Sequence, residues 1–412
     1  MPRFVLTGTF SSNNKGDAAM ELCATQQLLK AFPGADIVIS TPFPDLDRDA
    51  YPGARIVASQ RRRLIAGTAQ VLSALVWRKV NERTGLNLAF LKSHAETEQM
   101  QGADLVIDLS GDMLTEDYGP HVAYSHFLPL LLAYALGKKV FVCAQSIGPF
   151  SLTKPLARFA LNRAECVTAR DEITVKHLRD LGLRQGLVEF TADLAFLLTP
   201  VAADRVDEIF RIEKIPTSAP LLGVSLSQLV EGKFSKHNPL AASQSFAVTL
   251  AQALDRFLDH NPHNVMFVSH VIGPRAEHDD RIMCRRVRAT MRHRERCTVL
   301  EGDYRPDELK GLIARTTQFI GARMHANIAA LSSEVPTTAI SYSHKTPGIM
   351  RLFGLEQQVI DIKQMSEDDI YNQLVATQDN KQALAAQLKT ALVHVRERAS
   401  ANVQRLTEIL NG

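Results

Sequence analysis

Arg323 and His325 stand two residues apart in the run Ile320-Gly321-Ala322-Arg323-Met324-His325-Ala326-Asn327. An arginine is a permanent cation whose planar fork grips carboxylate or phosphate. A histidine exchanges a proton near neutral pH. Thr317 to Ile320 is short and apolar and predicts a buried strand; the small-residue run from Ala326 to Ser332 predicts a helix. The pair therefore falls at a strand-to-helix junction. Open parallel sheets bind ligands at such junctions, and a helix N-terminus favours anions. The chemistry on offer is proton transfer on an anionic substrate held in place. In the plainer reading, Arg323 pairs with a structural acid and His325 merely opens a helix.

A second candidate follows the first strand, in Ser11-Ser12-Asn13-Asn14-Lys15-Gly16-Asp17. Small and amide residues there present backbone N–H groups at a helix start, a seat for an oxyanion or a sugar hydroxyl. Asn14, Gly16 and Asp17 are the residues of interest, although Asp17 is equally suited to capping its helix. The loop is neither a Walker A sequence nor GxGxxG, so it carries no nucleotide signature. Three more segments end strands: Ser110-Gly111-Asp112, Ser146-Ile147-Gly148-Pro149 and Ala169-Arg170-Asp171-Glu172. Glycine at such points lets backbone approach a ligand. Arg170 is the sharpest of these, as a cation at the carboxyl edge of a sheet; its plain alternative is an ion pair with Asp171 or Glu172.

These residues need a scaffold of alternating strands and helices. Strands are expected at Arg3 to Thr9, Asp36 to Ser40, Leu105 to Leu109, Lys139 to Gln145 and Cys166 to Ala169. They recur at Leu221 to Ser227, Val265 to Ser269, Thr298 to Leu300, Phe319-Ile320 and Thr337 to Ile340, with helices between. Repeated βα winding predicts an α/β fold with parallel sheets and right-handed crossovers. A chain of 412 residues exceeds one core. Prolines and charges cluster between Pro200 and Pro220, which suggests two Rossmann-like domains facing a cleft, 1–205 and 206–380. An amphipathic helix, 381–412, carries Leu384, Leu388, Leu392, Val395, Ala399, Val403, Leu406 and Leu410 on one stripe. That stripe suits packing back across to the first domain.

Composition is that of a soluble enzyme, 45% hydrophobic and 22% charged. A net charge of +3 argues against a dedicated nucleic-acid binder. Five scattered cysteines without a CxxC pair point to a reduced, cytoplasmic setting, and no secretory signal is visible at the start. No HExxH or Cys/His spacing calls for a metal, and His260 and His263 read as surface residues. Arg61-Arg62-Arg63 precede, and Arg78-Lys79 follow, an apolar helical stretch from Leu64 to Trp77. It is too short to span a bilayer, but it suits either an ordinary amphipathic helix or peripheral contact with an anionic membrane surface. The arginines from Arg281 to Arg296 form a second basic stretch, a solvated face or an anion-recruiting one.

Taken in order, Asn14-x-Gly16-Asp17, Ser146-Ile147-Gly148-Pro149, Ala169-Arg170-Asp171-Glu172, Gly321-Ala322-Arg323-Met324-His325 and Ser341-Tyr342-Ser343-His344-Lys345 resemble the polysaccharide pyruvyl transferase family. Many members carry Gly-Gly-Gly where this chain has Ser110-Gly111-Asp112. The resemblance implies a GT-B-like fold, with the first domain on the acceptor side and the second on the donor side. It further implies transfer of a pyruvyl group from phosphoenolpyruvate to two hydroxyls of a saccharide, free or lipid-linked, in cell-surface polysaccharide biosynthesis. No cofactor is implied. Arg170, Arg323 and Lys345 then supply cations for the donor. His325 is the acid or base, with Asp17 or Asp112 as base or hydroxyl holder; Asn14, Gly16, Ser146, Gly148 and His344 line the substrate. A nucleotide-sugar glycosyltransferase and a non-catalytic saccharide-binding protein of the same fold are the competing expectations.

Overall fold

The computed structural model describes residues 1–237, 245–342 and 345–411. The chain forms two compact units. The N-terminal unit contains strands β1 (Arg3–Thr7), β2 (Asp36–Thr41), β3 (Ala54–Ala58), β4 (Leu105–Asp108), β5 (Val140–Gln145), β6 (Cys166–Ala169) and β7 (Val188–Phe190). They lie in the order β3-β2-β1-β4-β5-β6-β7, every pair parallel. The C-terminal unit contains β8 (Leu221–Ser225), β9 (Asn264–Phe267), β10 (Cys297–Val299), β11 (Gln318–Gly321), β12 (Thr337–Ser341) and β13 (Val359–Asp361). Their order is β10-β9-β8-β11-β12-β13, again all parallel. Both are Rossmann-like sheets. In each, the winding reverses beside the first strand, which makes a switch point between β1 and β4 and another between β8 and β11.

The central strands are buried on both faces, as their unbroken apolar sequences require. The cores follow the same logic. Val224, Leu250, Phe257 and Phe267 meet in one layer of the C-terminal unit, and Val106, Phe127, Val142 and Val167 in one layer of the N-terminal unit. All five cysteines are free and buried.

The seam lies elsewhere than the proline cluster suggests. The N-terminal unit comprises 1–12, 20–194 and 397–412, and the C-terminal unit comprises 13–19 and 195–396. The helix Ala203–Ile212 belongs with the second sheet because Val206 and Ile209 pack among Leu309, Leu312 and Phe319. Residues 13–19 join the same unit through backbone pairing. The Lys15 amide donates to the His270 carbonyl at 2.8 Å, and the Ile272 amide to the Asn13 carbonyl at 3.0 Å. The C-terminal helix Lys381–Asn411 is shared, its residues to Arg396 in the second unit and those from Glu397 in the first. Leu384, Leu388, Leu392, Val395, Ala399 and Leu406 on its stripe are all buried, so the stripe is a packing face.

Candidate functional site

Ligands meet a doubly wound sheet at the carboxyl ends of its strands. In the C-terminal unit, β8 ends at Ser225 and β11 at Gly321. The Ala322 amide donates to the Ser225 carbonyl at 2.8 Å, tying the two loops together at the switch point. Arg323 follows at once and precedes the helix Met324–Leu331, which holds His325 in its first turn.

Arg323 is not a free cation. Its Nε and Nη2 donate to Asp280 Oδ2 and Oδ1 at 2.9 and 2.7 Å, and Tyr342 hydrogen-bonds the same guanidinium. Asp280 is fully buried and also accepts the backbone amides of Gln228 at 2.9 Å and Val271 at 3.0 Å. One carboxylate thus fixes the loops after β8 and β9 and the plane of the Arg323 fork. Burial raises the Asp280 carboxyl above its usual range, opposed by Arg323, and the pair holds the Arg323 guanidinium firmly charged.

The Asn13–Asp17 turn converges on the same edge. Asn14, and not Asp17, caps the helix Lys15–Ala31, its Oδ1 accepting the Gly16 amide at 3.1 Å. Asp17 sits half-buried in the first turn. Gly16 is required by contact: a Cβ there would lie 2.3 Å from His325 Nδ1. Lys15 is buried and paired to the exposed Asp303, and burial lowers its pKa. His270, directly after β9, is the residue that sequence reasoning missed. Burial pushes its pKa down to about 3, with His325, Arg323 and Lys15 each adding positive potential. It is therefore a neutral imidazole to which three cationic or protonatable groups are all close. Its Nδ1, Ser225 Oγ and Gln228 Oε1 are buried and have no hydrogen-bond partner among the described residues. Buried polar atoms are nearly always paired: Ser225 Oγ can donate to a ligand oxygen, whereas Gln228 Oε1 and the Nδ1 of the neutral His270 can only accept, as from a ligand hydroxyl.

The other predicted residues fall differently. Arg170 does not present a cation to a ligand at its surface. It is 1% exposed, and its guanidinium donates to Asp193 at 2.5 Å and to Ser146 Oγ at 2.9 Å. Its partner is thus neither Asp171 nor Glu172, because Asp171 caps the helix Glu172–Asp180 and takes the Ser146 hydroxyl at 2.6 Å. Gly148 adopts φ +80° with His177 packed where a Cβ would stand. Asp112 is half-buried and accepts the Tyr118 hydroxyl at 3.0 Å. The backbone of Lys345 opens the helix Lys345–Arg351, but its side chain, like all of His344, lies outside what is described.

The switch point of the N-terminal unit holds a network that sequence reasoning did not find. Asp108, at the end of β4, accepts from Gln145 Nε2 at 2.5 Å and Ser110 Oγ at 2.9 Å, and burial pushes its pKa up to about 6. His126 contacts Ser110 Oγ at 3.2 Å and Arg61 at 2.7 Å. Arg61 also donates to the Thr9 carbonyl and is buried, so it is no part of any surface patch. The arginines from Arg281 onward are largely neutralised by Asp279, Glu301, Glu231 and Asp259. Arg288 and Arg296 turn to backbone carbonyls instead, so most of that stretch is engaged within the protein. His263 is buried, not a surface residue, and burial lowers its pKa to about 4.

The fold defines the class. A UDP-GlcNAc 2-epimerase from Neisseria meningitidis superposes with a TM-score of 0.61 at 10% identity, covering 99% of this chain and 100% of that one. A glycosyltransferase from Rickettsia africae gives 0.58 at 12%, covering 100% and 98%. Such identities speak for architecture alone: two Rossmann-like domains of the GT-B type. Sequence carries the assignment further. The chain belongs to the polysaccharide pyruvyl transferase family, whose match spans residues 14–344. The amylovoran biosynthesis protein AmsJ of Erwinia amylovora is 22% identical over 403 residues, 95% of each chain. Membership makes this protein a transferase of polysaccharide biosynthesis.

Proposed function

We propose that the protein transfers the pyruvyl group of phosphoenolpyruvate to two hydroxyls of a saccharide, forming a ketal and releasing phosphate. The observation that carries this reading is the convergence of Lys15, His270, Arg323 and His325 at one switch point in a chain of this family. The donor is a small anion with a carboxylate and a phosphate, and the C-terminal unit binds it. Arg323, its Nε–Nη2 edge held by Asp280, turns the charge of its guanidinium toward one anionic group. Lys15 exchanges Asp303, whose carboxylate is exposed and can be taken up by water, for another. No metal or cofactor enters the scheme.

His325 delivers a proton to the methylene carbon of the donor, which becomes the methyl group. One acceptor hydroxyl adds to C2 and loses its proton. The C2–O bond to phosphate then breaks, and the second hydroxyl closes the ketal as its proton leaves. His270 stays neutral throughout and so adds no charge against His325. Asp17, a half-buried carboxylate in the same unit as His325, is the base for the hydroxyl protons. The acceptor is presented on a lipid carrier at the inner face of the membrane, on the side of the N-terminal unit.

Two measurements test the donor. Millimolar phosphoenolpyruvate should raise the melting temperature by mass action, and phosphate should be released only when an acceptor saccharide is present. A shift with a nucleotide sugar and none with phosphoenolpyruvate would transfer the assignment to nucleotide-sugar chemistry. Saccharide binding without phosphate release would make this a binding protein.

A further inference from the structure

The helix Leu64–Thr84 buries Gly67, Ala74 and Trp77 against the N-terminal unit. Its opposite side is apolar and exposed: Ile65 is 89% accessible, Leu72 57% and Val76 50%. Ile65, Ala69, Leu72 and Val76 follow one another at intervals of four, three and four, so they lie on one line along the helix. Exposed Lys79 and Arg83 extend the same line at three and four. Exposed Arg62 and Arg63 stand just before the helix. Beyond its left-handed cap at Gly85, Leu86 and Phe90 are also exposed. Glu82 is the helix's one acid, paired with Arg78 at 2.6 Å. The helix is about 31 Å long, so the face is a long apolar strip with cations at both ends.

We infer that this face is a docking surface for an anionic lipid bilayer. The apolar line enters the headgroup–acyl boundary while Arg62, Arg63, Lys79 and Arg83 meet lipid phosphates. Charge complementarity selects this occupant. A second copy of the chain fits poorly, because both ends of the strip are basic and either parallel or antiparallel pairing sets cation against cation. No helix of the described residues is long and apolar enough to cross a membrane, so the contact is peripheral. The inference gives the lipid-linked acceptor of the proposed function a physical basis, but it rests on the exposed face alone.

The test is co-sedimentation of the full-length protein with vesicles of phosphatidylcholine, alone or mixed with phosphatidylglycerol. The protein should partition onto the anionic vesicles and release with added salt. Lys79→Ala and Arg83→Ala should each weaken binding about fivefold, the weight of one basic residue at such a surface. Leu72→Asp/Val76→Asp should weaken it at least about tenfold. These variants should keep the wild-type melting temperature and phosphoenolpyruvate-dependent phosphate release with a soluble acceptor. No wild-type binding, equal binding to neutral vesicles, or undiminished binding by Leu72→Asp/Val76→Asp overturns the inference. So does a wild-type dimer, seen by light scattering, that this double variant dissolves. Vesicle binding without any phosphate release would instead sink the donor assignment and leave the docking face standing.

Discussion

His325 and Arg323 have separable tasks, and substitution should separate them. His325→Ala should lower kcat by about two to four orders of magnitude, the usual yield of a positioned acid or base, with little change in donor affinity. Gly16→Ala should reproduce part of that loss, because its Cβ would displace the imidazole from 2.3 Å while the fold persists. Near wild-type turnover in folded His325→Ala would remove it from the mechanism and leave His344 or Asp17 as the next candidates. Arg323→Ala should abolish the donor-induced rise in melting temperature. It should also destabilise the protein by about 3–5 kcal/mol, since Asp280 is then a buried carboxylate without its counter-ion. Arg323→Ala/Asp280→Asn should recover much of the stability and none of the donor binding. Recovery of both would make the pair purely structural. Arg323→Lys should rescue little, because an ammonium lacks the planar fork that spans both Asp280 oxygens.

Among the elements, the C-terminal helix offers the cleanest test of packing. Asn402 is buried, and its Nδ2 donates to the Ala192 carbonyl at 3.0 Å while its Oδ1 accepts the Thr191 hydroxyl at 3.1 Å. Asn402→Ala should cost about 1–3 kcal/mol in chemical denaturation, because the buried partners lose their bonds. Unchanged stability would mean that this end of the helix is held by its apolar stripe alone. The elements also differ in how legible they were. Central strands such as β4, β5 and β11 declare themselves by continuous apolar runs. Edge strand β3 does not: Ala54 to Ala58 is half-buried or exposed at every position and includes Arg55. Strands β7 and β13 have three residues each and carry an acid, Glu189 or Asp361, that breaks any apolar run.

For the whole molecule, buried imidazoles and carboxyls set the response to acid in opposite directions: burial holds His126 well below its usual range, as it does His270 and His263, and raises Asp280, as it does Asp108. His270 and His263 have folded pKa values of about 3 and about 4, below an unfolded value near 6.5. From pH 6.5 down to about 4 the unfolded chain therefore binds more protons at these sites, and stability falls as pH falls. Each contributes a slope of about 1.4 kcal/mol per pH unit. Asp108, raised to about 6, acts oppositely: between pH 6 and about 4 the folded state holds its proton more tightly, and stability gains as pH falls. The three histidines outweigh the two carboxyls, since Arg323 opposes the rise at Asp280. The melting temperature should drop between pH 6.5 and 4.5, and His263→Gln should flatten that drop. A melting temperature independent of pH across this interval would refute the burial assigned to these imidazoles.

The sequence by itself determined the α/β winding, the parallel sheets, the family and the strand-end positions of Arg323, His325 and the Asn14–Asp17 turn. These depend on local periodicity and on motifs a few residues long. Tertiary structure alone decided which of those positions share a site. Residues 13–19 leave the unit that precedes and follows them because their backbone pairs with the loop after β9, some 250 residues on. Arg170 reads as a ligand cation in sequence but is buried against Asp193, and His270 reads as nothing yet stands beside His325 and Arg323. Whether a charged side chain serves a substrate or a neighbour depends on what lies across the fold from it. Partners distant in the chain leave no local pattern, and only packing brings them together.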